Sequence, residues 1–248
     1  MNAFAAEFVG TMFLILFGNG VVANVVLAKT KGSDSGWIVI TAGWGFAVFV
    51  GAFCSAEYSG AHINPAITIA MLASGQMGLA TALGYFVMQM LGAFAGGCLV
   101  YLFYREHFIA TDDPDGKLAC FCTAPNIRNL NQALLCEIIG TFALVFPVFL
   151  IAQPTLTLPG GSIGEEIPIG LGSLGLMPVS LLVFAIGLSL GGTTGYAINP
   201  ARDLGPRIAH ALLPIPGKRD SDWEYAWVPV VGPAIGALLA TGIYWLLV

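Results

Sequence analysis

The sequence predicts an all-α membrane protein in which six transmembrane helices surround two shorter, re-entrant helices. Composition is the first observation behind this prediction: of 248 residues, 57% are hydrophobic and only 9% are charged, whereas a soluble domain carries about 25% charged residues. The 32 glycines are the second observation, because small residues let membrane helices approach each other closely. A net charge of −5 with nine Lys and Arg residues excludes a nucleic-acid-binding protein, which needs a basic surface.

Six apolar stretches are long enough to be the spans. A transmembrane helix needs about 20 mostly apolar residues, and the qualifying stretches are about 4–28, 37–57, 80–104, 130–152, 170–191 and 225–248. The first is not predicted to be a cleavable signal peptide, since no basic residue precedes Lys29. Six spans put both termini on one side. Because Lys and Arg follow spans one, three and five, a direct count by the positive-inside rule places the termini outside.

The two halves of the chain resemble each other. AEFVGTMFLILF at 6–17 matches CEIIGTFALVFP at 136–147, and SGAHINPAITIA at 59–70 matches TGYAINPARDLG at 194–205. A third match pairs the glycine-rich segments 91–97 and 231–237 in the same order. The chain is therefore predicted to be one domain, 1–248, of two repeats at about 4–104 and 130–248. Each repeat has three spans, so the second enters the membrane from the opposite side, and the functional features of inverted repeats meet near the midplane.

Two Asn-Pro-Ala segments follow spans two and five, at about 59–75 and 194–211. Asn is a favoured N-cap, and Pro fits the first helical turn because its missing N–H has no partner there. Each segment is therefore predicted to hold an extended stretch followed by a half-helix. In inverted repeats the two half-helices meet head to head, with their positive ends together. The residues of the two motifs are Asn64, Pro65, Ala66, Asn199, Pro200 and Ala201.

The paired motifs, the glutamates Glu7 and Glu137 and the six spans resemble the aquaporin family. The sequence NPARD followed by Leu-Gly-Pro resembles its glycerol-facilitator branch. The resemblance implies six tilted helices and two half-helices around one pore in each protomer of a homotetramer. It also implies a cell-membrane protein with cytoplasmic termini, contrary to the direct charge count.

The resemblance also implies roles for the residues around the two motifs. The amides of Asn64 and Asn199 are expected to donate hydrogen bonds to the oxygens of a passing solute. Backbone carbonyls are expected to accept hydrogen bonds from the hydroxyls of that solute. The carbonyls expected to line the pore belong to Gly60, Ala61, His62, Ile63, Gly195, Tyr196, Ala197 and Ile198. These acceptors replace the hydration that a solute hydroxyl loses, which otherwise costs several kcal/mol.

The family's narrowest constriction matches Trp44, Gly187, Tyr196 and Arg202 in this sequence. Arg202 supplies fixed donors and a permanent charge, and the two aromatic residues form an apolar corner. Gly187 stands where water-selective members carry His, so glycine implies a wider pore. Tyr196 stands where glycerol-type members often carry Phe. Its phenol is expected to bond either a solute or a loop carbonyl.

Several polar residues are expected to support the site. Glu7 and Glu137 are expected to accept hydrogen bonds from backbone N–H groups of the re-entrant segments, although they are also the only candidates for an ion-coupling site. Asp203 is expected to brace the second half-helix electrostatically, and His62 to brace its own loop. The cysteines and histidines show no metal-ligand spacing, so neither a metal nor a cofactor is expected.

The sequence therefore predicts a passive channel for glycerol and similar small neutral solutes, with water, that excludes ions and protons. A broader pore that also passes undissociated lactic acid, dihydroxyacetone or urea is the close alternative. An ion-coupled secondary transporter also uses inverted repeats and broken helices. An enzyme is not expected, since no Ser–His or His–Glu–His set is visible.

Overall fold

The computed structural model describes residues 1–152, 154–157 and 166–248, and it is dominated by helices. Six helical segments are long and apolar enough to cross a membrane, which confirms the predicted multi-pass fold. They are α1 (Ala3–Val26), α2 (Trp37–Ser59), α4 (Leu79–Phe103), α7 (Leu130–Leu150), α8 (Met177–Leu190, which continues a 3₁₀ turn over Gly172–Leu176) and α10 (Val228–Leu247).

Two half-helices lie between these spans, α3 (Pro65–Ala73) and α9 (Pro200–Leu212). Each begins directly after the asparagine of its motif. The side chain of Asn64 accepts from the N–H of Ala66 at 2.8 Å, and that of Asn199 accepts from the N–H groups of the two residues after Pro200. The asparagine thus satisfies otherwise unpaired donors of the first turn, and proline removes one more.

The last two spans are shorter than the sequence predicts. The span expected at 170–191 begins as a 3₁₀ helix and becomes α-helical at Met177, and the span expected at 225–248 begins at Val228. Pro178 and Pro229 lie in the first turns of these helices. Proline has no N–H to donate, so it suits a helix start and not a helix interior. The two prolines therefore determine where α8 and α10 begin.

The connecting segments contain short elements that the hydropathy pattern does not predict. Two six-residue helices, α5 (Arg105–Ala110) and α6 (Pro114–Ala119), follow the third span. Strand β1 (Thr155–Thr157) pairs antiparallel with β2 (Glu166–Pro168), with Thr155 opposite Pro168.

The long helices pack in repeat-related pairs. α1 lies against α2 and α4, α7 lies against α10, and the two halves meet where α2 contacts α8 and α4 contacts α9. Glycine allows the closest of these approaches: a Cβ on Gly96 would lie 2.7 Å from the Met12 carbonyl, and one on Gly236 would lie 2.5 Å from the Ile138 carbonyl. These contacts bring both half-helices to the centre of the bundle.

Candidate pore and its constriction

The two half-helices meet at their N-termini through their asparagines. Asn64 Nδ2 donates to the carbonyl of Ile198, and Asn199 Nδ2 donates to the carbonyl of Ile63, both at 2.9 Å. Each amide has a second N–H, which no acceptor in the described chain takes. Both positive helix ends and two free donors are therefore directed to one place.

The chain before each half-helix has an unusual backbone that is the same in both repeats. Ala61 and Ile63 have φ of +54° and +41°, and the matching Tyr196 and Ile198 have +38° and +42°. Side chains disfavour this left-handed region, most strongly when they are β-branched. Because every second residue of each stretch has this left-handed φ, the stretch forms neither a helix nor a strand. Its carbonyls therefore have no regular hydrogen-bond partner.

Two buried glutamates hold these strained stretches. Glu7 accepts from the N–H groups of His62 and Ile63 at 2.9 and 2.7 Å, and also from Ser59 and Gln89. Glu137 accepts from the N–H groups of Ala197 and Ile198 at 3.0 and 2.8 Å, and from Thr194. Both glutamates are fully buried. Their oxygens are engaged by neutral donors, an arrangement that fixes backbone and leaves little capacity for an ion.

The carbonyls expected to line the pore fall into two groups. Those of Ile63 and Ile198 already accept from the opposite asparagine. Within the described residues, the other six accept no hydrogen bond from the protein: Gly60, Ala61, His62, Gly195, Tyr196 and Ala197. The His62 ring is directed at its own half-helix, with Nδ1 3.0 Å from Thr68 Oγ1.

A narrow cavity of about 40 Å³ adjoins the meeting point. A cavity needs about 10–15 Å³ to hold one water, so this one admits only small molecules. Its lining contains both polar and apolar residues: Leu14, Trp44, Val48, Asn64, Leu144, Val183, Tyr196, Ala197, Ile198, Asn199 and Arg202. The structure thus brings three of the four predicted constriction residues and both motif asparagines to one cavity.

Arg202 is buried over an aromatic ring in this cavity. Its Cζ lies 4.0 Å from the ring centroid of Trp44, a cation–π geometry. Arg202 is 6% exposed and Trp44 is 3% exposed. Within the described chain, Arg202 Nη1 and the hydroxyl of Tyr196 are buried without a hydrogen-bond partner.

Gly187 lies beneath the Tyr196 ring and not on the cavity surface. A Cβ at position 187 would lie 2.8 Å from both Cζ and Oη of Tyr196 and 2.9 Å from Cγ2 of Thr41. The space that glycine leaves is therefore filled by the phenol. The sequence implied a pore widened directly by this glycine; the structure instead shows that the glycine makes room for an aromatic neighbour.

Asp203 is directed away from the cavity and holds a loop. Its carboxylate accepts from the N–H and the hydroxyl of Thr123, both at 2.7 Å, and from Arg207 Nε at 2.8 Å. Arg207 also donates to the carbonyls of Ser221, Asp222 and Thr123. No role for Arg207 was predicted from the sequence, although its position four residues after Asp203 is the spacing of a helical ion pair.

At the surface, an ion pair connects the loop before α7 to the loop after α9. Arg128 bonds both oxygens of Asp222 at 2.6 and 2.7 Å. Burial acts to raise the pKa of Asp222, but the hydrogen bonds and charge of Arg128 outweigh it and hold that pKa below its usual range. Among the described residues, no cluster of His, Cys, Asp and Glu has a metal-binding arrangement, and the five cysteines are unpaired.

Six spanning helices and two half-helices that meet around a polar and apolar cavity define a multi-pass membrane channel. The chain belongs to the major intrinsic protein family, whose model matches residues 1–244. This is a family of transport proteins and not of enzymes. Both the predicted resemblance to the aquaporins and the predicted fold are confirmed.

Relatives with assigned names cover almost the whole chain. A probable glycerol uptake facilitator protein of Thermotoga maritima is 54% identical over 99% of this chain and 100% of its own length. A D/L-lactic acid transporter of Lactiplantibacillus plantarum is 40% identical over 95% of this chain and 93% of its own length. The crystal structure of the aquaglyceroporin from Plasmodium falciparum has a TM-score of 0.79 and 32% identity, covering 97% of this chain and 93% of that one.

Proposed function

We propose that the protein is a passive channel for glycerol and similar small neutral solutes, which also passes water. The lining of the cavity is the observation that carries this proposal. It combines the polar side chains of Asn64, Asn199 and Arg202 with the rings of Trp44 and Tyr196 and with aliphatic side chains. A polyol has both hydroxyl groups and a carbon backbone, so a lining of this mixed character suits it. The relatives named as glycerol facilitators support the same solute.

The free carbonyls of the two strained stretches extend this pathway on either side of the centre. A polyol that leaves water must replace the hydrogen bonds of its hydroxyls or meet a cost of several kcal/mol each. Six unpaired backbone acceptors and two free asparagine donors provide those replacements. In this proposal, Glu7 and Glu137 are positioning residues that keep the acceptors in place.

Exclusion of cations and protons follows from the charges around the cavity. Two half-helix N-termini and the Arg202 guanidinium direct positive potential at the same small space. A water molecule between Asn64 and Asn199 accepts from both amides and donates outward, which interrupts a chain of hydrogen bonds. Ions therefore meet both an electrostatic barrier and a site too narrow for their hydration shells.

Passive conduction is favoured over ion coupling by the contacts of the glutamates. Glu7 and Glu137 are the candidate coupling groups, and all four of their carboxylate oxygens already accept hydrogen bonds, mostly from donors of the re-entrant segments.

Undissociated lactic acid is a second candidate solute, because a lactic acid transporter is among the relatives. Dihydroxyacetone and urea have the same neutral, hydrogen-bonding character.

The wider arrangement is also proposed on the resemblance. The two repeats, 4–104 and 130–248, form one domain with its own pore, and four copies assemble in the cell membrane with cytoplasmic termini. The direct positive-inside count opposes this orientation, but three of the basic residues that it counts are not ordinary loop charges. Arg202 and Arg207 are buried in the half-helix, and Lys218 bonds three carbonyls at the end of α9.

The solute can be identified by stopped-flow light scattering of proteoliposomes under gradients of glycerol, urea, lactic acid at low pH, or sucrose. We expect glycerol permeability well above that of protein-free vesicles, with water permeability raised as well and none for sucrose. Lactic acid permeability above that of glycerol would favour the second candidate. Glycerol permeability equal to that of empty vesicles would contradict the proposed function.

A further inference from the structure

A second cavity, of about 470 Å³, forms a groove between α1, α2 and α4. It shares no lining residue with the narrow cavity at the half-helices. Phe46 and Phe103 belong to its lining and are 63% and 79% exposed, so the groove opens on the apolar outer surface of these helices. Its volume is in the range of about 300–1,000 Å³ that is usual for sites of small organic ligands.

Gly20 helps to form this groove because it has no side chain. Nothing lies within 4 Å of a Cβ at this position, so close helix packing does not require glycine here, in contrast to Gly96 and Gly236. When the match of 6–17 with 136–147 is extended by three residues, Gly20 stands opposite Leu150, which is exposed. The first repeat thus leaves open an apolar space where the second repeat carries a leucine.

The groove has the length of one leaflet of the bilayer. Its lining on α1 runs from Leu16 to Asn24, a rise of about 12 Å at 1.5 Å per residue. Half of the hydrocarbon core is about 15 Å thick. A spanning helix of a second copy would cross both leaflets, whereas a lipid acyl chain is confined to one. The groove therefore fits an acyl chain.

The end of the groove at the membrane surface has two polar side chains. Asn24 lines it from the last turn of α1, and Tyr104 lines it directly after α4. Asn24 Oδ1 accepts from the N–H of Gly32 at 3.3 Å, which leaves the NH₂ group of Asn24 to donate. Among the described residues, neither this NH₂ group nor the Tyr104 hydroxyl has a hydrogen-bond partner. Both can donate to the ester carbonyl of a lipid.

Three exposed cations follow the helices at this same end. Lys29 and Lys31 come after α1, and Arg105 comes after α4. None of them forms an ion pair within the described chain. Asp34 and Glu106 lie in the same segments, so the cations exceed the acids by one. On the opposite side of the membrane neither the termini nor the loops contain Lys or Arg, so a lipid phosphate is favoured at this end.

We propose that this groove binds an anionic phospholipid of the adjacent leaflet. One acyl chain packs along α1, the ester group meets Asn24 and Tyr104, and the phosphate lies among Lys29, Lys31 and Arg105. Close packing holds the chain, and the charge of the headgroup provides the preference for anionic lipid. Because the groove shares no residue with the pore, its ligand is independent of the permeating solute.

The test is native mass spectrometry of the purified full chain with phosphatidylglycerol or phosphatidylcholine. We expect the wild type to bind phosphatidylglycerol about tenfold more tightly, since each basic residue near the surface attracts anionic lipid. Gly20→Leu should weaken this binding about tenfold, because the leucine displaces about two packed methylene groups of the acyl chain. Gly242→Leu on α10 is the matched control: nothing lies within 4 Å of a Cβ there either, and binding should not change.

The double variant Lys31→Gln with Arg105→Gln tests the headgroup, and it should lose the preference for phosphatidylglycerol over phosphatidylcholine. Wild-type lipid binding in Gly20→Leu, or equal binding of the two lipids by the wild type, overturns the proposal. Loss of the native oligomer in Gly20→Leu with unchanged lipid binding also overturns it and assigns the groove to a contact between copies. If Gly20→Leu does not fold, the double variant decides, and an unchanged preference contradicts the proposal.

Discussion

At the scale of single residues, the two buried arginines of α9 differ in how completely they are bonded. Arg207 donates to Asp203 and to three loop carbonyls, so it is a structural cation. Arg202 lies over Trp44, belongs to the cavity lining, and has one nitrogen, Nη1, without a partner in the described chain. A buried charge with a free donor is expensive unless a ligand or water completes its shell. In the proposed channel, this difference distinguishes Arg202, which is left to bond a solute, from Arg207, which braces the loops.

Gly187 gives the prediction at this scale. In Gly187→Ala, a methyl group 2.8 Å from the Tyr196 ring must push the phenol from α8 towards the cavity. We expect glycerol permeability to fall about tenfold more than water permeability, because the narrowed cavity obstructs the larger solute and a barrier difference of about 1.4 kcal/mol gives that factor. Gly187→His should have the same effect more strongly. Stopped-flow swelling in the two gradients measures it.

Gly192→Ala is the matched control, because nothing lies within 4 Å of a Cβ at that position and both permeabilities should stay unchanged. A Gly187→Ala variant that folds normally, with unchanged glycerol permeability or with equal loss of glycerol and water permeability, would contradict the account.

The sequence could place Asn64 and Asn199 at the centre, because the motif puts each at a helix start, whereas only the family resemblance assigned Arg202 to the constriction. It could not predict that Tyr196 fills the space over Gly187. That contact joins α8 to a loop with a left-handed backbone, and neither residue type nor spacing encodes the direction of the ring. The partners of Asp203 were missed for the same reason, since Thr123 lies 80 residues away.

At the scale of elements, each half-helix depends on a glutamate from the first helix of its own repeat. Glu7 on α1 fixes the stretch before α3, and Glu137 on α7 fixes the stretch before α9. The repeat could be recognised in the sequence because both halves keep this glutamate and the Asn-Pro-Ala segment that it supports. The first residues of α8 and α10 were harder to predict from the sequence, because apolar residues precede both helices and only a proline marks each first turn.

The glutamate pair gives the prediction at this scale. Glu137→Gln replaces one accepting oxygen by an NH₂ group that faces a backbone N–H. We expect the free energy of unfolding to fall by about 2 kcal/mol, as for loss of a hydrogen bond to a charged group, with a severe loss of glycerol flux. Glu7→Gln should behave in the same way, because its contacts are equivalent. Denaturation in detergent and swelling assays measure the two effects.

Glu57→Gln is the control on an exposed position of α2, and it should change neither quantity. Glycerol flux that persists in Glu7→Gln and Glu137→Gln but acquires or loses dependence on pH would point to proton coupling and against a positioning role.

At the scale of the whole molecule, the two repeats are joined by hydrogen bonds at the centre of the proposed pore. The asparagine of each half-helix bonds the strained stretch of the other, so the centre exists only when both repeats are in place. The loops after α6 and α9 are tied to the second half-helix by Asp203 and Arg207. A fixed, doubly supported pathway is what a passive channel needs, whereas a coupled transporter needs repeats that move against each other.

The most direct test of this account is the glycerol equilibrium in proteoliposomes of identical ionic composition inside and out. Glycerol labelled with ¹⁴C is added outside, and its internal concentration is followed with and without ionophores that abolish pH and sodium gradients. We expect rapid entry that stops when the internal and external concentrations are equal, at a rate that the ionophores leave unchanged. Accumulation above the external concentration under an imposed ion gradient, or entry that requires such a gradient, would contradict the account.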